Sequence, residues 1–189
     1  MTNFKQVFYA PNQITLLRLI FIPFVILAIL YARYRVAFAL VLVAGISDGI
    51  DGLLARWLKQ QTTLGTYLDP ITDKLLLTSA FLTLGLAHQI PLWLVILVLS
   101  RDVLMLATAL VMILTTSLKS FPPSVYGKAN TLAQVATVLL TLLVLVQPQE
   151  LLRWLQQAGV YATATLTVVS GLHYAFRTAE RFRHVERTS

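Results

Sequence analysis

Six apolar runs, each long enough for about 20 residues of helix, make up most of the chain, and short polar or proline-bearing breaks separate them. The runs cover about residues 12–31, 36–58, 65–87, 91–115, 126–146 and 151–176. The breaks fall at 32–35, 59–64, 88–90, 116–124 and 147–150. Pro23 lies inside the first run, while Pro70 and Pro91 stand near helix starts, where proline is tolerated. The pattern predicts an all-α chain of six helices joined by short connections. No linker, low-complexity tract or internal repeat interrupts it, so residues 1–189 are expected to form one domain. The first eleven residues carry Phe4, Val7, Phe8 and Tyr9 and suit a short interfacial segment; they lack the small-residue cleavage site of a secretory signal.

Composition turns this helical reading into a membrane reading. Hydrophobic residues are 57% of the 189 and charged residues only 12%, about half the charged share of an average soluble domain. The mean hydropathy is +0.75. Disorder is excluded by the apolar content. A disulfide scaffold, a thiol nucleophile and a thiolate metal site are excluded because the chain has no cysteine. The expected architecture is a polytopic membrane protein with six transmembrane helices.

The net charge of +7 would suggest nucleic acid in a soluble protein. No basic stripe is interleaved with aromatics here, so no nucleic-acid partner is expected. An even number of spans puts both termini on one side, and the basic residues test which side. Lys5, Arg56, Lys59, Lys119, Lys128, Arg177, Arg181, Arg183 and Arg187 share the side of the termini. Only Arg33, Arg35 and Arg153 lie opposite. Nine against three places both ends in the cytoplasm (the inner membrane, if the source is bacterial), with residues 177–189 as a basic tail against anionic lipid.

The acids then become the informative residues. Four of the five aspartates, Asp48, Asp51, Asp69 and Asp73, fall at the facing ends of the second and third runs. A carboxylate at the centre of a membrane helix costs about 2.5–3.5 kcal/mol. Four near one membrane side call for a cation or a water-filled cavity. Asp48 and Asp51 are three residues apart and share a helix face; Asp69 and Asp73, four apart, share another. The short connection predicts an antiparallel pair on which the two faces converge. Oxygen-only ligands suit Mg²⁺ or Mn²⁺, and no His or Cys in the segment supports zinc. Gly45, Gly49 and Gly52 make a flat strip on the second helix, which alone would read as helix packing. Arg56 follows one turn later and, beside a carboxylate-held metal, suits a diphosphate.

The whole segment runs Asp48, two residues, Asp51-Gly52, two residues, Ala55-Arg56, eight residues, Gly65, three residues, Asp69, three residues, Asp73. This resembles the signature of the CDP-alcohol phosphatidyltransferases at every fixed position. The resemblance extends to Pro11-Asn12 with Thr15 and Arg18, to Arg101, and to Gly127-Lys128 with Thr131 and Gln134. It implies six helices around a polar cavity open to the cytoplasm. It also implies metal-dependent transfer of a phosphatidyl group from CDP-diacylglycerol to an alcohol, with release of CMP. By the same resemblance Asp48, Asp51, Asp69 and Asp73 hold Mg²⁺ or Mn²⁺, and Asp73 is the general base. Asn12, Thr15, Asp48, Gly52, Arg56 and Gly65 border the CDP-diacylglycerol site.

Arg101, Lys128 and Thr131 are the expected acceptor-binding residues. Arg101 lies too deep in its helix to snorkel easily, and adjacent helical residues face different ways. It is therefore expected to point into the cavity rather than to pair with Asp102. Lys74 is expected to snorkel. Two branches of the family fit, with glycerol 3-phosphate or phosphatidylglycerol as acceptor. Members using glycerol 3-phosphate commonly carry Arg-Glu and a later Arg in the fourth helix, and Gly-Lys-x-Lys-Thr in the fifth. This chain has Arg101-Asp102, then Ala109 and Leu110, and Gly127-Lys128-Ala129-Asn130-Thr131. The fewer cations favour phosphatidylglycerol, the acceptor of the cardiolipin synthase branch. A divalent-cation carrier using the intramembrane aspartates is the alternative; it leaves the glycines and Arg56 unexplained. A homodimer is compatible with the sequence, which names no interface.

Overall fold

The computed structural model describes the backbone of residues 10–58, 63–115 and 125–186, and side chains within 19–47, 72, 74–108 and 125–176. Six helices account for nearly all of it: α1 (Ala10–Leu30), α2 (Tyr34–Leu58), α3 (Thr63–Leu86), α4 (Leu92–Thr115), α5 (Val125–Val146) and α6 (Glu150–Glu186). The fold is all-α, with no strand among the described residues. Five helices end within a few residues of the expected limits. α6 instead runs ten residues beyond Phe176, so most of the expected tail continues the helix for a total length of about 55 Å. The reason is local: 177–186 holds no glycine or proline to stop the helix.

Short turns join the helices at one end of the bundle. α1 and α3 both finish in the double hydrogen-bond pattern of a left-handed cap. Arg33 N donates to Ala28 O and Ala32 N to Ile29 O; Gln89 N donates to Leu84 O and His88 N to Gly85 O. The left-handed residues are Ala32 (φ 55°) and His88 (φ 56°), rather than glycine.

Packing order around the bundle is α1, α2, α5, α6, α4, α3 and back to α1, with α3 also touching α5 across the ring. The facing ends of α2 and α3, where the aspartate pairs are expected to converge, lie outside the described side chains. Among the described residues α2 does not pack on α3; α1 and α5 each contact both. A short connection limits how far apart two helix ends lie, but a third helix can still wedge between their bodies.

The apolar core fills the end of the bundle that carries the short turns. Val25 and Ile29 of α1, Phe81 and Leu84 of α3, Leu94 and Val98 of α4, and Val138 and Leu142 of α5 are all buried there. Gly85 sets the α3–α4 approach, because a Cβ at that position would lie 2.6 Å from Val95 Cγ2. The outer faces are apolar as well: Ile96, Val103, Leu104 and Leu106 of α4 and Leu132 of α5 are more than 60% exposed. Among the described residues α5 is the one helix long and apolar enough to cross a membrane, with shorter apolar stretches at Leu19–Leu30, Tyr34–Ser47 and Lys74–Leu86.

Gly85→Ala is expected to destabilise the protein by about 1–3 kcal/mol, since the β-branched Val95 has little freedom to retreat. A thermal melt of the purified variant in detergent checks this; an unchanged midpoint would refute the close approach.

Candidate active site

A cavity of about 440 Å³ lies between α2, α3, α4 and α5. Val41, Ala44 and Gly45 form the α2 wall; Lys74, Leu77 and Thr78 belong to α3; Arg101 and Asp102 come from α4; Thr131, Gln134 and Val135 come from α5. No atom lies within 4 Å of the place a Cβ on Gly45 would take. Gly45 therefore widens the cavity and does not seat a neighbouring helix; Gly49 and Gly52 of the same strip lie outside the described side chains.

One carboxylate organises the charges in this wall. Asp102 Oδ1 accepts from Lys74 Nζ at 2.9 Å and from Arg101 Nη1 at 3.0 Å. Arg101 Nη2 donates to Ser170 Oγ of α6 at 2.6 Å. Arg101 and Asp102 are both buried, while Lys74 is about 39% exposed. The expectation that Arg101 would avoid Asp102 fails. The arginine side chain is long enough to reach around the angle between adjacent helical positions, and it meets Asp102 while still lining the cavity. Lys74 does not snorkel; it turns inward because Asp102 offers a buried counter-charge.

Of the expected acceptor residues, Arg101 and Thr131 are in the cavity wall. The Thr131 hydroxyl donates back to Gly127 O at 3.1 Å. Lys128, one turn before Thr131, is exposed and is not part of the wall. Asn12 and Thr15 are in α1, Asp48, Asp51, Gly52 and Arg56 in α2, and Gly65, Asp69 and Asp73 in α3; their side chains lie outside the described residues. Their chain positions still relate them to the cavity. Asp48 follows Gly45 by one helical turn, and Asp73 immediately precedes Lys74. The donor set suits a hard divalent cation, because all four groups are carboxylates on helical backbone at i,i+3 and i,i+4 spacing. Among the described residues no cluster of three or more metal-binding side chains occurs.

A buried polar stripe along α5 and α6 was not anticipated. Thr167 Oγ1 donates to Asn130 Oδ1 at 2.9 Å, the Thr137 and Thr163 hydroxyls lie 2.9 Å apart, and Gln156 Nε2 donates to Thr141 Oγ1 and Gln89 O, each at 3.3 Å. The signal was in the sequence: polar residues recur at 130, 134, 137 and 141, and again at 156, 163, 167 and 170, at helical spacing within apolar runs.

Comparison with known proteins decides the family. The sequence model of the CDP-alcohol phosphatidyltransferases matches residues 8–169. The chain belongs to that family. Its relatives include a Mycobacterium tuberculosis protein named "Probable phosphatidylglycerophosphate synthase", 33% identical over 184 residues that cover 94% of this chain and 85% of the relative. The CDP-diacylglycerol–glycerol-3-phosphate 3-phosphatidyltransferase of Bacillus subtilis is 31% identical over 183 residues, covering 88% of this chain and 93% of the relative. The cardiolipin synthase (CMP-forming) of Rattus norvegicus is 33% identical over 107 residues, 56% of this chain and 35% of the rat protein. As a CDP-alcohol phosphatidyltransferase the chain is an enzyme of phospholipid synthesis, and the cation-carrier alternative is set aside.

Removing the carboxylate of this phosphatidyltransferase's wall should be costly. Asp102→Ala leaves the buried Arg101 without its counter-charge, for an expected loss of about 3–5 kcal/mol. The double variant Asp102→Ala/Arg101→Met should recover part of that loss. Denaturation of both proteins in the same detergent tests the coupling, and equal stabilities would refute it.

Proposed function

We propose that the chain is a six-span integral membrane enzyme that transfers a phosphatidyl group from CDP-diacylglycerol to phosphatidylglycerol and releases CMP. The carrying observation is the charge balance of the cavity wall. Lys74, Arg101 and Asp102 together hold one net positive charge, and the rest of the wall is largely aliphatic. That suits a phosphodiester monoanion better than the dianion of a phosphate monoester. Glycerol 3-phosphate is the second reading, favoured by the names of the M. tuberculosis and B. subtilis relatives, which align over most of their length.

The membrane reading is supported by the apolar outer faces of α4 and α5, which would be an extensive exposed patch in water. Nine basic residues on the side of the termini against three opposite support a cytoplasmic site. A single domain spans the chain, and it works as one copy or as a homodimer.

Asp48, Asp51, Asp69 and Asp73 would hold Mg²⁺ or Mn²⁺, which would supply positive charge to offset the diphosphate and the leaving phosphate. Asn12 and Thr15 border the nucleotide, Gly52 and Gly65 give the donor access to the backbone, and Arg56 contacts its phosphates. Arg101 and Thr131 of the cavity wall, with the exposed Lys128 one turn from Thr131, orient the acceptor. Asp73 takes the proton from the acceptor hydroxyl. The hydroxyl oxygen then bonds to the phosphorus bearing diacylglycerol, and the bond from that phosphorus to the CMP oxygen breaks.

Asp73→Asn should cut CMP release by about 10²–10⁴-fold at unchanged expression, the range of a lost general base; turnover near the wild-type rate would refute its role. Chelation of divalent cations should stop turnover, and readdition of Mg²⁺ or Mn²⁺ should restore it. Purified protein given CDP-diacylglycerol with phosphatidylglycerol, glycerol 3-phosphate, inositol or serine should yield cardiolipin as the main lipid product by mass spectrometry. Phosphatidylglycerophosphate as the main product would establish the second reading instead.

A further inference from the structure

Gln134 is about 95% buried in the cavity wall, yet its side-chain Nε2 has no hydrogen-bond partner. An unpaired buried amide is costly, and native structures seldom keep one without a use for it. Among the described residues it is the one unpartnered amide in the cavity lining. On the same helix, Thr137 and Thr141 spend their hydroxyls on α6 side chains and on the backbone. Asn130, one turn before Gln134, accepts from Thr167 through its Oδ1 while its Nδ2 is also without a partner, but Asn130 is fully buried and does not line the cavity. Beside Gln134 the cations are already engaged: Lys74 and Arg101 Nη1 by Asp102, and Arg101 Nη2 by Ser170. Arg101 Nε is the other unpartnered donor in this wall. The cavity therefore offers one neutral amide next to a cluster of net charge +1, on the wall that also carries Thr131.

We propose that Gln134 is a specificity-determining residue that binds a free hydroxyl of the acceptor's glycerol group, an inference that rests on the glycerol-type acceptor reading above. The chemistry selects a hydroxyl. A hydroxyl both donates and accepts, and so does a primary amide, whereas a phosphate oxygen at this pH only accepts and is better served by Arg101 and Lys74. The terminal torsion of a glutamine is soft, so the amide turns its NH₂ toward the cavity when an oxygen arrives there. The acceptor carries two kinds of hydroxyl: one that attacks and one that remains on the product. Gln134 reads the one that remains, since the attacking one belongs beside Asp73.

A site built to bond a hydroxyl rejects the analogue that lacks it far more strongly than an apolar pocket does. The experiment uses the full chain in phospholipid vesicles and compares kcat/KM for phosphatidylglycerol with that for phosphatidylpropanediol, which lacks the remaining hydroxyl. A parallel arm compares glycerol 3-phosphate with 3-hydroxypropyl phosphate. Wild-type protein should prefer the hydroxyl-bearing member of the pair it uses by about tenfold or more, and Gln134→Met should bring the ratio to about twofold or less, with an unchanged KM for CDP-diacylglycerol. Because Gln134→Met removes an unsatisfied donor, its unfolding midpoint without acceptor should equal or exceed the wild-type value; a residue that held the helices together would lower it. Undiminished discrimination in the variant, or a lowered midpoint, overturns the role of Gln134 while leaving the reaction intact. A wild-type protein that releases CMP with neither glycerol acceptor overturns the acceptor reading, and this assignment with it.

Discussion

Cations persist inside an apolar helical bundle only where counter-charges are close, and in this chain Asp102 provides the counter-charge twice. Its carboxylate holds Lys74 from α3 and Arg101 from its own helix, and Arg101 reaches on to Ser170 of α6. Three helices are thus tied at one level of the bundle. Without Asp102, Arg101 would be a buried unpaired charge, and Lys74 would lose its reason to turn inward. The modest net charge of the cavity wall and the placement of its two cations follow from this one carboxylate.

The rest of the bundle divides its work by depth. Toward the short turns it is filled by Phe81, Leu84, Leu94 and Leu142, and Gly85 lets α3 and α4 approach closely. Next to this core lies the cavity, where Gly45 leaves space that a larger residue would fill. The α5–α6 hydroxyl and amide contacts add directional bonds to a seam that is otherwise apolar.

Much of this was legible in the sequence. Six apolar runs gave the helices within a few residues, because hydrophobic periodicity and breakers are local properties. The aspartate signature gave the family for a similar reason: its spacing is written along two helices and needs no knowledge of their neighbours. The polar stripe of α5 and α6 is equally local, but single Thr and Gln residues satisfy themselves within apolar helices, so their spacing alone does not distinguish a buried seam from isolated polar positions.

What the sequence by itself determined, then, is the set of helices, the chemistry they carry and the family. Tertiary structure alone decided which helices are neighbours. It placed α1 and α5 against both α2 and α3, gave Asp102 two partners instead of none, and left Gln134 buried beside a cavity with a donor unused. The physical reason is that a helix repeats every 3.6 residues and so fixes its own faces, whereas the partner each face meets depends on how all six cylinders pack at once.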